Sequence, residues 1–237
     1  MLYTEETVKA NIRNREGKRV FFLNAGDSLP PSARDFLLRQ RIEIRPGSEA
    51  KIEAYQLPDG SQTAQKPEHM THLRGNLLVT KTHPILAFRG AMDTRQAELL
   101  LAQLAVAPSM KAQVGEILDL ARNILRWEVM EEPAGCHTLC GLTLEQQRSH
   151  SHFPQKYYNQ PHFMPSFTDG PALLQLNRAR CAARSAELAA ATAFTDATGG
   201  CVRRDILQLL NRMSSMLYIL MIRLKAKESE GGSHEKA

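Results

Sequence analysis

Hydrophobic positions change their period along this chain. Up to about residue 45 they come in short alternating or continuous runs, and beyond about residue 90 they recur every three or four residues. In the first part, VFFL (20–23) and IEIR (42–45) read as strands, with turn chemistry in AGDSLP. PPSARDFLLRQR between them reads as a helix, with Ser28 or a neighbour as cap and proline in the first turn. Residues 46–68 are polar and broken by Pro46-Gly47 and Pro58-Asp59-Gly60, which predicts a linker with a weak hairpin at the Asp-Gly turn.

The later part predicts helices. Asp93 can cap one that runs to about Ala107, and Ser109 opens a second that ends before Pro133-Ala134-Gly135. Thr143, with Gln146 at the capping-box distance, starts a shorter helix to about His152. Residues 153–170 hold three prolines among aromatics and histidines and read as a structured loop. A helix from Gly170 to about Asp196 follows, then a Gly199-Gly200 break and a last helix from Val202 to Lys227. The stripe of that last helix, Ile206, Leu210, Met213, Leu217, Leu220 and Leu224, is wholly apolar. The expected fold is mainly α: a five-helix (four-helix-like) up-and-down bundle with a small N-terminal αβ extension. The expected domains are an αβ unit at 1–45, a linker at 46–68, a bundle at 69–230 and a disordered tail at 231–237.

One helix departs from simple amphipathicity. In LLQLNRARCAARSAELAAATAF (173–194), Leu173, Leu176, Arg180, Arg184, Glu187, Ala191 and Phe194 share a stripe about 60–80° wide. Its ends are apolar and its middle carries three charges, while the adjoining side is small: Ala179, Ala183, Ala186 and Ala190. A solvated salt-bridge ladder would produce this spacing. A charged patch inside an apolar stripe otherwise demands a counter-charge or an anionic ligand. Asn211, Ser214 and Tyr218 form a polar line beside the apolar stripe of the last helix, suited to ordering a polar ligand or to satisfying one another. Before the bundle, Arg74 beside Gly75 and Lys81 in a stretch ending at Pro84 could cradle phosphates, although no GxxxxGK[ST] loop occurs.

Composition narrows the classes. A net charge of +5 over 237 residues suits a polyphosphate or nucleotide. No basic block of five or more residues occurs and only 6% of residues are aromatic, which argues against nucleic-acid binding. The longest apolar run, within 216–222, is too short to span a bilayer, and the N-terminus has no signal core. Four cysteines are too few for a disulfide scaffold, which suggests free thiols in the cytoplasm. His69-x2-His72, His150-x-His152 and Cys136-His137-x2-Cys140 have conceivable metal spacings, yet none completes a four-ligand set, so no metal site is expected.

Taken in order, several segments resemble the ATP:corrinoid adenosyltransferases, most closely the ethanolamine-utilisation type. They are PPSARDFLLRQRIEI (30–44), THLRGNLLVTKTHPILAFRGAMD (71–93), GCHTLCGLT (135–143), SHFPQKYYNQPHFMP (151–165), LNRARCAARSAEL (176–188) and RRDILQLLNRMSSMLYILMI (203–222). The propanediol-utilisation branch shares Arg-x3-Arg-x2-Glu, and also Leu-Asn-Arg-Leu-Ser, seen here with Met213 for the second Leu. The resemblance implies a homotrimer of bundles with ATP between subunits and a corrinoid above it. It implies transfer of the 5′-deoxyadenosyl group from ATP to reduced cobalt, giving adenosylcobalamin and triphosphate, with Mg²⁺ on the phosphates.

Carried across, Arg180, Arg184 and Glu187 match the family's ATP-binding arginines and acid. Asp93 matches an aspartate that pairs with the first arginine across the interface. Arg74 and Lys81 fall in the triphosphate-binding segment, and Asn211 matches the asparagine near the sugar. Phe163 and Met164, with Phe167, are the expected apolar wall under the corrin. The implied partners are a flavin-dependent reductase and a cobalamin-dependent ammonia-lyase of ethanolamine catabolism, in the cytoplasm or a bacterial microcompartment. A His and Cys-Cys-x2-Cys metal cluster carried by many members is missing, since residues 46–71 contain no cysteine. The competing reading is a non-catalytic corrinoid-binding or escort module derived from such an enzyme.

Overall fold

The computed structural model describes residues 3–15, 18–24, 26–47 and 54–231, and divides into two compact units, Met1–Val79 and Thr80–Ala237. The division falls later than the boundaries expected at 45 and 68. In the first unit α1 (Glu5–Ala10) starts with a capping box from Thr4 to Thr7. Strands β1 (Arg13–Arg15), β2 (Lys18–Leu23) and β3 (Glu43–Pro46) form one sheet in that order, β1 antiparallel and β3 parallel to β2. Helix α2 (Pro31–Arg39) makes the crossover that a parallel pair requires. Its N-cap is Pro30, without a side-chain bond; Ser28 instead offers its carbonyl to the Tyr3 N–H at 3.2 Å. Val8, Phe21, Leu29, Ala33, Leu37 and Ile42 make the small core.

The expected linker is partly sheet. β4 (Tyr55–Gln56) and β5 (Gln62–Thr63) form the hairpin foreseen at Asp59-Gly60, where Gly60 takes φ +84° and Asp59 Oδ1 accepts from the Ser61 N–H at 2.9 Å. They join β6 (Met70–Arg74) and β7 (Leu77–Thr80) in the order β5-β4-β7-β6. Residues 48–53 of the expected linker lie outside the described residues, as do 232–237 of the expected tail.

The second unit is the bundle: α3 (Pro84–Ala105), α4 (Pro108–Val129), α5 (Leu144–His152), α6 (Pro154–Tyr158), α7 (Gly170–Phe194) and α8 (Arg204–Gly231). The hairpin β8 (Thr138–Leu139) and β9 (Leu142–Thr143) precedes α5, whose Thr143–Gln146 capping box forms as the spacing predicted. Helix α3 begins nine residues before Asp93. Pro84 occupies its first turn and His83 caps it, Nδ1 accepting from the Ile85 N–H at 3.2 Å. Asp93 is therefore not a cap but an exposed mid-helix residue. Ser109 is likewise inside α4, which starts at Pro108 with Ala107 at the N-cap.

Helix α3 runs antiparallel to α4, as the Arg89–Glu128 ion pair (2.7 Å) and the bond from Gln103 Nε2 to Lys111 O (3.0 Å) show. It is also antiparallel to α7, through Phe88 on Phe194 (5.2 Å between ring centres) and Arg178–Glu98 (2.7 Å). The core takes every residue of the apolar α8 stripe from Ile206 to Leu220, together with Leu173, Leu176 and all four alanines of the small α7 side. One cation lies within this interior. Arg95 on α3 is fully buried, its three guanidinium nitrogens have no hydrogen-bond partner among the described residues, and burial pushes its pKa down to about 9.

Candidate functional site

The charged middle of the α7 stripe opens onto a cavity of about 690 Å³ between α7 and α8. Its wall brings together Arg180, Arg184, Glu187, Asn211, Ser214 and Tyr218, the residues singled out by spacing on the two helices. Helical periodicity explains the grouping: the four alanines turn inward, and the charges, roughly a quarter-turn away, fall at the edge of the buried face. The salt-bridge-ladder alternative does not form. Among the described residues neither Arg180 nor Arg184 makes an ion pair, and Glu187 instead accepts from Asn211 Nδ2 at 3.0 Å.

Arg180 is half-buried and held in place. Its Nε and Nη2 both donate to Asn177 Oδ1, at 3.2 and 2.9 Å, and its guanidinium lies 6.0 Å from the centre of the Tyr218 ring. Arg184, one turn on, is exposed. Two guanidinium forks at i and i+4 without carboxylate partners suit a ligand bearing several phosphate oxygens. The cavity volume is that of a site for a nucleotide-sized molecule. Burial first, then repulsion from Arg148, against an attraction to Glu187, leave Arg212 with a lowered pKa.

The loop before α7 and the end of α5 also contribute. His162 and His152 line the cavity, and neither was singled out from the sequence as part of this site. His162 Nε2 lies 3.1 Å from the His152 carbonyl, which can only accept, so that nitrogen carries the proton. Nδ1 then accepts from the Tyr218 hydroxyl at 2.9 Å. Phe163 is half-buried against Tyr218, with ring centres 6.1 Å apart, whereas Met164 and Phe167 are each 89% exposed. Asn177 was also missed, although its place one turn before Arg180 was a usable signal. His162 gave none, since its partner is 56 residues away.

The other expected residues stand elsewhere. Lys81 lies in the turn after β7 and Asp93 on the exposed face of α3, and neither lines the cavity. Arg74 belongs to β6 in the first unit. Cys136 and Cys140 are free thiols whose pKa values burial raises, that of Cys140 to about 12. No group of three or more His, Cys, Asp or Glu among the described residues is arranged to hold a metal ion. No described helix is long and apolar enough to cross a membrane.

Residues 61–224 match the family model described as cobalamin adenosyltransferase, a span that holds the whole cavity. The corrinoid adenosyltransferase EutT of Escherichia coli K12 is 30% identical over 242 residues, covering 92% of this chain and 90% of that protein. EutT of Salmonella typhimurium LT2 is 30% identical over 247 residues, covering 94% and 92%. In fold, the chain is similar to two variants of a PduO-type ATP:corrinoid adenosyltransferase from Lactobacillus reuteri, each complexed with cobalamin and ATP. Both align with a TM-score of 0.50 at 17% identity over 69% of this chain, covering 89% and 91% of theirs. A family match across more than half the chain, with relatives at 30% identity over nearly all of it, makes this protein a member of the cobalamin adenosyltransferase family, a transferase built on a helical bundle.

Proposed function

We propose that this protein transfers the 5′-deoxyadenosyl group of ATP to the cobalt of a reduced corrinoid, releasing triphosphate. The observation that carries the reading is the α7–α8 cavity, where Arg180 and Arg184 converge, without carboxylate partners among the described residues, beside the Glu187–Asn211 pair. In this reaction cobalt(I) of the substrate attacks C5′, a Co–C bond forms, and the C5′–O bond breaks with its electron pair leaving on triphosphate. The protein needs no nucleophile of its own. Its tasks are to align C5′ with the metal and to meet the negative charge gathering on the leaving group.

Arg180, oriented by Asn177, and Arg184 take the phosphates in this reading, while Asn211 holds the sugar end. Mg²⁺ arrives on the phosphates. Among the described residues Glu187 is the one carboxylate lining the cavity, and its second oxygen, not engaged by Asn211, is the group that would hold that ion. Met164 and Phe167, exposed and apolar at the mouth of the preceding loop, are the surface offered to the corrin, with Phe163 packed behind on Tyr218.

The active assembly in this reading is a homotrimer. Asp93 is exposed and makes no ion pair among the described residues, and Leu100, Leu101 and Leu104 continue the same α3 face at 49, 43 and 75% exposure. A second copy seated there would cover the leucines and bring Asp93 to Arg180. Lys81 is proposed as a further phosphate contact. The similarity to EutT supports a role supplying a cobalamin-dependent lyase of ethanolamine breakdown, with a flavin-dependent reductase as electron source, in the cytoplasm or a microcompartment.

The test is an anaerobic assay with ATP, Mg²⁺, a strong reductant and cob(II)alamin, without added transition metal. The expected result is loss of the cob(I)alamin spectrum and growth of a light-sensitive Co–C product. Binding of both ligands without product would overturn the reading in favour of an escort.

A further inference from the structure

Two ligand-facing elements of the bundle meet at one phenol. On one side, the Arg180 guanidinium lies over the Tyr218 ring. On the other, the Tyr218 hydroxyl donates to His162, whose ring also lies parallel to it at 5.8 Å with Phe163 beside it. Residues 160–165 make no backbone–backbone hydrogen bond among the described residues, so side chains alone place this segment. Its fastenings are few. His162 is tied to Tyr218 and to the His152 carbonyl, and seven residues later Asp169 accepts from the Ser166 N–H at 2.6 Å and pairs with Lys225. The exposed Met164 and Phe167 are strung between those two points.

Resting on the adenosyltransferase reading, we propose that Tyr218 is a positioning residue that couples the arginine cavity to the Met164–Phe167 segment, so that nucleotide and corrinoid bind cooperatively through its hydroxyl. The physical argument is differential. A polyanion that draws Arg180 changes the packing over the Tyr218 ring, and the ring's hydroxyl sets where His162 holds the segment. A ligand shifts a neighbouring element only through such a state-dependent contact. Reciprocity follows, since ATP must raise corrinoid affinity by the factor by which corrinoid raises ATP affinity.

Tyr218→Phe keeps the ring and removes only the bond to His162, and His162→Ala, at an exposed residue, cuts that bond together with the one to the His152 carbonyl. The experiment measures Kd for ATP by calorimetry and for cob(II)alamin by anaerobic absorbance, each with and without the other ligand and without reductant. The wild type is expected to show positive coupling. Each single variant is expected to lower the coupling factor about two- to tenfold, the worth of one neutral hydrogen bond. The double variant should lose no more than His162→Ala alone, because that variant already lacks the bond to Tyr218. His162→Asn, which keeps an acceptor, should restore part of it. Coupling in Tyr218→Phe equal to wild type, or no coupling in the wild type, would overturn the positioning role while leaving the adenosyltransferase reading intact. Failure of the wild type to bind either ligand would remove both.

Discussion

The bundle interior against α3 and the seam between α7 and α8 both hold arginines, and they use them in opposite ways. On α3, Arg95 is shut inside the bundle with no hydrogen-bond partner among the described residues. One and a half turns earlier, Arg89 reaches the fully buried Glu128 with two bonds, at 2.7 and 3.1 Å. Across α7, Arg180 and Arg184 stand at the wall of an open cavity. The difference teaches that a guanidinium's role is set by what the adjoining surface admits. A sealed interior makes it a burden unless it is paired, and an open groove makes the same group a receptor for anions.

The sharpest test of the sealed side is Glu128→Ala. Leaving Arg89 without its buried carboxylate should cost about 3–5 kcal/mol, read as a lower urea midpoint with an unchanged m-value. On the open side, Arg180→Ala should lower adenosyl transfer about 10²–10³-fold, with the circular-dichroism spectrum and melting temperature retained. Comparable turnover in that variant would place Arg180 outside the reaction.

Arg95→Met separates the two regions most cleanly. Replacing a buried unpaired cation by an apolar chain of similar length should leave stability the same or raise it by about 1–4 kcal/mol, without loss of activity. A destabilised variant would mean that Arg95 has found a partner in the interior. The smallest effect is expected at Asp169, where Lys225 first and the Ser166 N–H second hold the carboxyl below its ordinary value of 3.8. A depressed folded-state value stabilises above the unfolded value and is lost as the pH falls through the lower folded one. Asp169→Asn should therefore lower the melting temperature slightly at pH 7, and the difference from wild type should shrink towards pH 3.

Much of the bundle was legible because helical periodicity and caps are local. The α8 stripe, the Thr143–Gln146 box and the Gly199-Gly200 break all stand where they were expected. The start of α3 was misjudged because Asp93 is a stronger capping type than His83. The His-Pro pair nonetheless starts the helix, proline supplying its first turn and the imidazole its cap. The β4–β5 hairpin was legible only at its Asp-Gly turn, because two-residue strands carry almost no periodic signal and exist only through pairing.

By itself the sequence determined that α7 would carry two arginines and a glutamate on one stripe, and that α8 would set Asn211 and Tyr218 beside an apolar one. Spacing on a helix fixes which residues share a face. Tertiary structure alone decided that these faces meet along a cavity rather than in solvent, and that Glu187 answers to Asn211 instead of to its own arginines. It also decided that a histidine far along the chain would fasten the loop to Tyr218. Those outcomes depend on how helices pack and where a loop returns, and no local spacing encodes contacts between residues so distant in sequence.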